Sequence, residues 1–244
     1  MVVMNYKPLQ NDKQLNRAIS YPYDITPNSF TFIRGESSPF DVLLTKGRHP
    51  VIGYGSNQSP HRLRQKYGTD HSAIPVQRGC LADHDVVYSA HFASYGSVPA
   101  ALRYVKGTSV SVAVNWLDDE QLEIMHGTEW DNYNYAQLTD ISLKLQEGTV
   151  LTDAYAYLCF TGHIDRNGSP IALAEVTAKN RIFDSFKQIE VLTLVRDRLE
   201  PEMGLADFLR ENITNNKIRQ ERTQELMKDA IDGMNTAHRL ISYT

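Results

Sequence analysis

Two short stretches carry residue types able to act together on a small molecule: Tyr54-Gly55-Ser56-Asn57 and Glu129. The first follows an apolar β-type run, Pro50-Val51-Ile52-Gly53, and precedes a helix-like segment from Ser59 to Tyr67. A chain that leaves a strand, turns on glycine and enters a helix aims several backbone N–H groups at one spot. Such a spot suits a carboxylate or a phosphate. Glycine and serine are also ordinary turn residues, so the turn gains meaning only from a second site. It lacks the Lys-Ser/Thr ending of a phosphate-binding P-loop, since Asn57-Gln58-Ser59 stands there, and it lacks the spaced glycines of a dinucleotide fingerprint. Ser56 is not set in the G-x-S-x-G frame of a serine nucleophile.

Glu129 supplies the second site. Asp118 followed by Gln121 forms a capping-box pattern, which predicts a helix from Asp118 to about Glu129. Leu122, Met125 and Glu129 fall on one face of it, so the carboxylate is carried toward the core. An acid at a helix C-terminus opposes the macrodipole and needs another reason to be there. Desolvation would raise its pKa from about 4.3 toward roughly 6–7, the range of an effective general base.

The elements that must position these groups form a β-rich chain. Strand signals occur at Phe30–Arg34, Asp41–Leu44, Pro75–Leu81, Asp85–Phe92, Val98–Tyr104, Thr108–Trp116, Ala136–Leu145 and Thr149–Phe160. In the sixth of these, Val110, Val112 and Val114 share one face, with Ser109, Ser111 and Ala113 on the other. Many strands with only two helices among them argue for a small mixed barrel or curled sheet, not a doubly wound α/β fold. Residues 1–49 are expected to be an extension packed on the core. Residues 50–165 form the main domain, and 166–244 a helical addition. In that addition, helices are predicted to open at Pro170–Glu175 and to follow at Asp184–Val195, Leu205–Asn212 and Lys217–Met234. The charge of both signs along Lys217 to Lys228 marks a solvated helix face.

The chain has 244 residues, enough for one large domain or a domain with additions. A formal net charge of −4 gives no electrostatic case for a nucleic-acid or anionic-membrane partner. No apolar run approaches the roughly 20 residues that span a bilayer, and Met1–Lys7 has no charged region followed by an apolar stretch, so no signal peptide is expected. Cys80 and Cys159 are far apart and outside any CxxC pattern, so reduced thiols and a cytoplasmic location are expected. The eight histidines show no metal-ligand spacing.

The two sites together resemble the γ-glutamylcyclotransferase-like (AIG2-like) superfamily. Its tyrosine-glycine-serine-asparagine turn is matched by Tyr54-Gly55-Ser56-Asn57. Its middle strands look like Gly79, Val98-Pro99-Ala100-Ala101-Leu102, Gly107 and Val110–Trp116. Its essential glutamate falls on Glu129, and a tyrosine opening the next strand falls on Tyr135 (or Tyr133). The resemblance runs from about Pro50 to Phe160. Gln58, His126 and Trp130 depart from it, standing where the family commonly has leucine, an acidic residue and glycine.

The resemblance implies a small mixed β-barrel of the α+β class. The implied reaction cyclises a γ-glutamyl amine or peptide to 5-oxoproline, with no metal or organic cofactor. Gly55, Ser56 and Asn57 would anchor the substrate's α-carboxylate, with Tyr54 and Tyr135 shaping the pocket. Glu129 would move the proton, and a contact between His126 and Glu129 would retune it. Two rivals use the same residues: a non-catalytic module that binds a small carboxylate, and an amidase that uses water as the attacking group.

Overall fold

The computed structural model describes residues 9, 11–233 and 235–242. The start of the N-terminal extension and Met234, the predicted end of the last helix, lie outside the described residues.

The long hairpin of β4 (Ile74–Tyr88) and β5 (Ala100–Leu117) is the centre of the molecule. Its antiparallel register runs from Val76 opposite Asn115 to Tyr88 opposite Ala100. Each of these strands covers two of the predicted ones. Asp83 takes a positive φ of 54°, and a register shift between Ala82 and His84 lets pairing resume instead of ending.

Around the hairpin, in chain order, stand α1 (Lys13–Ile19), β1 (Phe30–Ile33), β2 (Glu36–Pro39), β3 (His49–Gly53) and α2 (Pro60–Tyr67). After it come α3 (Asp119–Glu129), β6 (Tyr133–Leu138), β7 (Leu143–Leu145), β8 (Val150–Leu151) and β9 (Ala154–Cys159). Short pairings follow: β10 (Asp165–Arg166), β11 (Ser169–Pro170), β12 (Ala172–Leu173), β13 (Ala178–Lys179) and β14 (Ser185–Phe186). The chain closes with α4 (Gln188–Leu199), α5 (Leu205–Thr214), α6 (Asn216–Lys228) and β15 (His238–Leu240).

The main sheet runs β14-β12-β4-β5-β3-β9-β6-β15 and is mostly antiparallel. β3 with β9 and β12 with β14 are parallel pairs. The class is α+β, as the sequence predicts, but the ladder ends at β14 and β15 and does not close into a barrel.

Strand alternation sorts the core into two layers. Val110, Val112 and Val114 point to one face with Ile52, Leu138 and Leu143, where Leu15, Phe208, Leu209 and Leu226 of the helices cover them. Val51, Ala113 and Leu117 point to the other, against Leu63, Tyr67, Leu122 and Met125 of α2 and α3. The two helices that flank the predicted site are therefore fixed to one face of β3 and β5.

Two local predictions are corrected. Asp41–Leu44 is not a strand: Val42–Thr45 forms a 3-10 turn, capped by Asp41 accepting the Leu43 N–H at 2.9 Å. Pro170–Glu175 is not a helix. Ala172 pairs with Val87 on the sheet, and the Tyr88 N–H donates to the Ile171 carbonyl at 3.0 Å, so sheet pairing overrides the helix-forming composition. Among the described residues no helix is long and apolar enough to cross a membrane.

Candidate active site

Beyond Gly53 the chain turns at Tyr54 and Gly55 into a single 3-10 turn, Ser56–Gln58, and Pro60 then opens α2. Close packing explains both glycines. A Cβ on Gly53 would lie 2.7 Å from Asn115 Nδ2, and one on Gly55 would collide with Tyr21 Oη. Tyr21 lies just after α1. Its hydroxyl accepts the Ala100 N–H at 2.9 Å and reaches the backbone of Ser56. Tyr54 donates to the carbonyl of Tyr157 and is buried.

The turn rests on a buried cation. Arg78 Nη1 donates to Gln58 Oε1 at 2.6 Å and Nη2 to Ser111 Oγ at 2.7 Å. Burial lowers the guanidinium pKa to about 10, so it stays charged at neutral pH. A leucine at position 58 would offer this guanidinium no acceptor, and Gln58 therefore goes with Arg78.

Helix α3 is built as predicted. Asp118 Oδ1 accepts the Gln121 N–H at 2.9 Å, and Gln121 Oε1 accepts the Asp118 N–H at 3.2 Å. Leu122 and Met125 are buried, and Glu129 follows them on the same face. The carboxylate meets the turn: Asn57 Nδ2 donates to Glu129 Oε1 at 3.2 Å.

Glu129 has an ionic partner that the sequence reading lacks. Lys66 Nζ, on a side chain with no solvent exposure, stands 2.8 Å from Glu129 Oε1 and 2.7 Å from Met125 Sδ. Burial pushes the Lys66 ammonium below its usual range, and the neighbouring carboxylate opposes that shift. Thr128 Oγ1 also donates to Oε1, at 3.4 Å. Every hydrogen bond that the described residues make to this carboxylate thus falls on Oε1, which leaves Oε2 for a ligand. The expected lone, desolvated acid is instead half of an ion pair.

A cavity of about 600 Å³ joins the parts. Tyr54, Gly55, Ser56, Asn57 and Glu129 all line it, with Tyr21, His91 and Tyr157. Its remaining wall includes Asn216, Arg219, Gln220, Thr223 and Gln224, one stripe of α6. Part of the helix face expected to be solvated therefore closes the cavity. Of the two tyrosines proposed for β6, Tyr133 lines the cavity and donates to the Ala100 carbonyl at 2.9 Å. Tyr135 is not in the lining. It sits two residues further along the same strand face, against His126 and stacked on Tyr155. His126 bonds Tyr157 Oη through Nδ1 at 2.7 Å, and Trp130 is turned outward, 65% exposed.

His91 is neutral, its pKa driven down to about 3 by burial, and bonds Thr161 Oγ1 at 2.9 Å. Thr161 also meets Cys159 Sγ at 3.0 Å, and burial holds that thiol up at about 11. A protonated thiol beside an uncharged imidazole is a poor nucleophile. Cys80 and Cys159 are both free. No group of three or more His, Cys, Asp or Glu among the described residues is arranged to hold a metal ion.

Sequence reasoning misses Lys66, Tyr21, His91 and the α6 stripe. Only Lys66 has a local signal, three positions after buried Leu63 and so on the inward side of α2.

The fold and the site define an α+β protein with a polar cavity in which the Glu129 carboxylate stands beside a glycine turn. No protein-family model and no curated protein matches the sequence. Among solved structures the chain is similar to a gamma-glutamyl cyclotransferase, at 13% identity over 78% of this chain and 91% of that one, TM-score 0.37. It is also similar to uncharacterized protein loc79017 from Homo sapiens (12% identity, 86% of this chain and 92% of that one, TM-score 0.38). A third is At5g39720.1 from Arabidopsis thaliana (12%, 62% and 84%, TM-score 0.37). At such TM-scores the likenesses are slight, and the chemistry must be argued from the residues of the site.

Proposed function

We propose that the protein cyclises a γ-glutamyl compound to 5-oxoproline. The observation that carries this is a glutamate whose donors crowd one oxygen, in the same cavity as the Gly55–Asn57 turn. The turn amides take the substrate's α-carboxylate. Oε2 of Glu129 takes a proton from the α-ammonium, and the freed amine attacks the γ-carbonyl carbon. The ring C–N bond forms, the old γ-amide C–N bond breaks, and the two protons that the attacking nitrogen sheds, one before and one after the ring bond forms, pass in turn through Glu129 to the departing nitrogen, which leaves as an ammonium. Nucleophile and electrophile belong to one molecule, so holding it in a ring-closing pose supplies much of the acceleration.

Lys66 holds the Glu129 carboxylate in place before the proton arrives. Once the carboxylate is protonated, the ammonium charge is no longer offset and favours the oxyanion forming on the γ-carbonyl. The partner is a small molecule, and we place the protein in the cytoplasm, where an exposed free thiol such as Cys80 stays reduced.

The test is a panel of γ-glutamyl amines and peptides, assayed for 5-oxoproline. Turnover is expected with the native protein and a loss of about 10²-fold or more in Glu129→Gln. Free glutamate as the product would make the protein an amidase. Binding without any product would make it a carboxylate-binding module.

A further inference from the structure

The α6 stripe and the first turn of α2 each bring an arginine to the cavity wall, Arg219 and Arg62. Neither guanidinium is paired with a carboxylate among the described residues. Arg219 Nη1 donates to the Asn212 carbonyl at 2.7 Å and Nη2 to Asn216 Oδ1 at 2.5 Å, both uncharged acceptors that fix its direction. Arg62 Nη1 makes one long bond, 3.4 Å, to Gln65 Oε1, and its buried Nε has no protein acceptor. Burial works against the charge on Arg219 without a compensating anion.

The charges around the cavity do not cancel. Arg62 and Arg219 share the cavity wall with the acids Glu129 and Asp131, and the buried Lys66 already neutralises Glu129. Three cations stand against two carboxylates, and His91 adds none because it is uncharged. A cavity of about 600 Å³ is also of the size that takes a drug-sized ligand, more than a lone γ-glutamyl group fills.

We infer that Arg62 and Arg219 form a second anion subsite that takes a carboxylate carried by the leaving part of the substrate. The inference rests on the cyclisation proposed above. The turn amides hold the carboxylate of the glutamyl half, and the planar guanidinium forks hold that of the other half, for which their geometry is suited. The substrates are then γ-glutamyl amino acids or peptides with a free carboxyl end, and neutral γ-glutamyl amines are poor ones. No atom is added to or removed from the reaction. The departing amine simply leaves with its carboxylate still on the arginines.

The experiment compares γ-glutamyl-alanine with γ-glutamyl-alaninamide, which differ by one charge. In the native protein the acid is favoured by about tenfold or more. In Arg62→Met and in Arg219→Met that preference falls toward unity, and Arg219→Lys restores part of it. Where 5-oxoproline forms, the preference is read in kcat/KM. Where neither compound is turned over, cyclisation is excluded, and the preference is read as a ratio of calorimetric Kd values. A native ratio within about twofold of one overturns the subsite, as does binding of neither compound. So does a preference that survives in both methionine variants. Circular dichroism confirms that each variant is folded, and if either is not, the native ratio alone decides.

Discussion

Lys66 Nζ and Glu129 Oε1 stand 2.8 Å apart, the lysine side chain fully enclosed and the glutamate nearly so. Taking either charge away strands the other. Lys66→Met should therefore destabilise the fold by about 2–3 kcal/mol, below the full range for buried pairs because Glu129 keeps 15% side-chain exposure. Glu129→Gln should destabilise it too, by leaving the ammonium without a counter-charge. The double variant should recover much of the loss, since the coupling between two touching groups is not additive. It should not recover turnover. Urea unfolding of the four proteins, with the 5-oxoproline assay beside it, separates the stabilising role of the pair from its chemical one.

The same logic applies behind the binding turn. Gln58 Oε1 is a close acceptor for the buried Arg78 guanidinium, at 2.6 Å. Gln58→Leu should cost about 2 kcal/mol, the range for removing a hydrogen bond to a buried charged group. Adding Arg78→Met should return most of that stability. If the single variant is as stable as the native protein, Arg78 does not depend on Gln58, and the sequence departure at this position has another cause.

Gly55 packs against Tyr21, which follows α1. Gly55→Ala puts a methyl group against Tyr21 Oη and 3.0 Å from Ala100 Cβ. Overpacking of this kind typically costs about 1–3 kcal/mol. Tyr21→Phe in the same chain removes the hydroxyl that the methyl strikes, and should relieve part of the cost. Thermal melts of the two single variants and the double variant check it.

What the sequence makes legible follows the range of the interaction that decides each feature. The capping box at Asp118 and Gln121, the shared face of Leu122, Met125 and Glu129, and the alternation of Val110, Val112 and Val114 are local periodicities, and the structure keeps them. The approach of Asn57 to Glu129 is a contact across 72 residues that only motif order and a family resemblance suggest. Tyr21 and Arg219 reach the cavity from outside the segment that resemblance covers, and nothing in their own neighbourhoods marks them. Tyr133 and Tyr135 share a strand face, so periodicity cannot choose between them. The choice depends on how far along β6 the cavity extends, and it reaches Tyr133 but not Tyr135. The 170–175 segment is misread because its local composition favours helix, while a free position beside β4 offers it backbone partners.

Acid should weaken the fold through its buried imidazoles, His91 and His163 above all, with His84 and His126 shifted by burial in the same direction. His91 and His163 are both pushed down to about 3 by burial, with the Arg103 guanidinium beside His163 adding to it. In the unfolded chain each takes up a proton near pH 6.5. Between about pH 6.5 and 3 the unfolded state therefore binds more protons than the native one, and stability falls as the pH drops. Each group contributes a slope of about 1.4 kcal/mol per pH unit across that window, and none above it. Glu175, whose carboxyl burial raises, works in the opposite direction in the carboxylate range and trims the effect at its acid end. Urea midpoints measured from pH 7 down to 4 should decline steadily. His91→Asn should flatten part of that decline, because it removes one of the buried imidazoles while leaving an amide to meet Thr161. A native profile that stays level from pH 6.5 to 4 would mean that these rings become protonated in the folded protein, and that their surroundings are wetter than the packing implies.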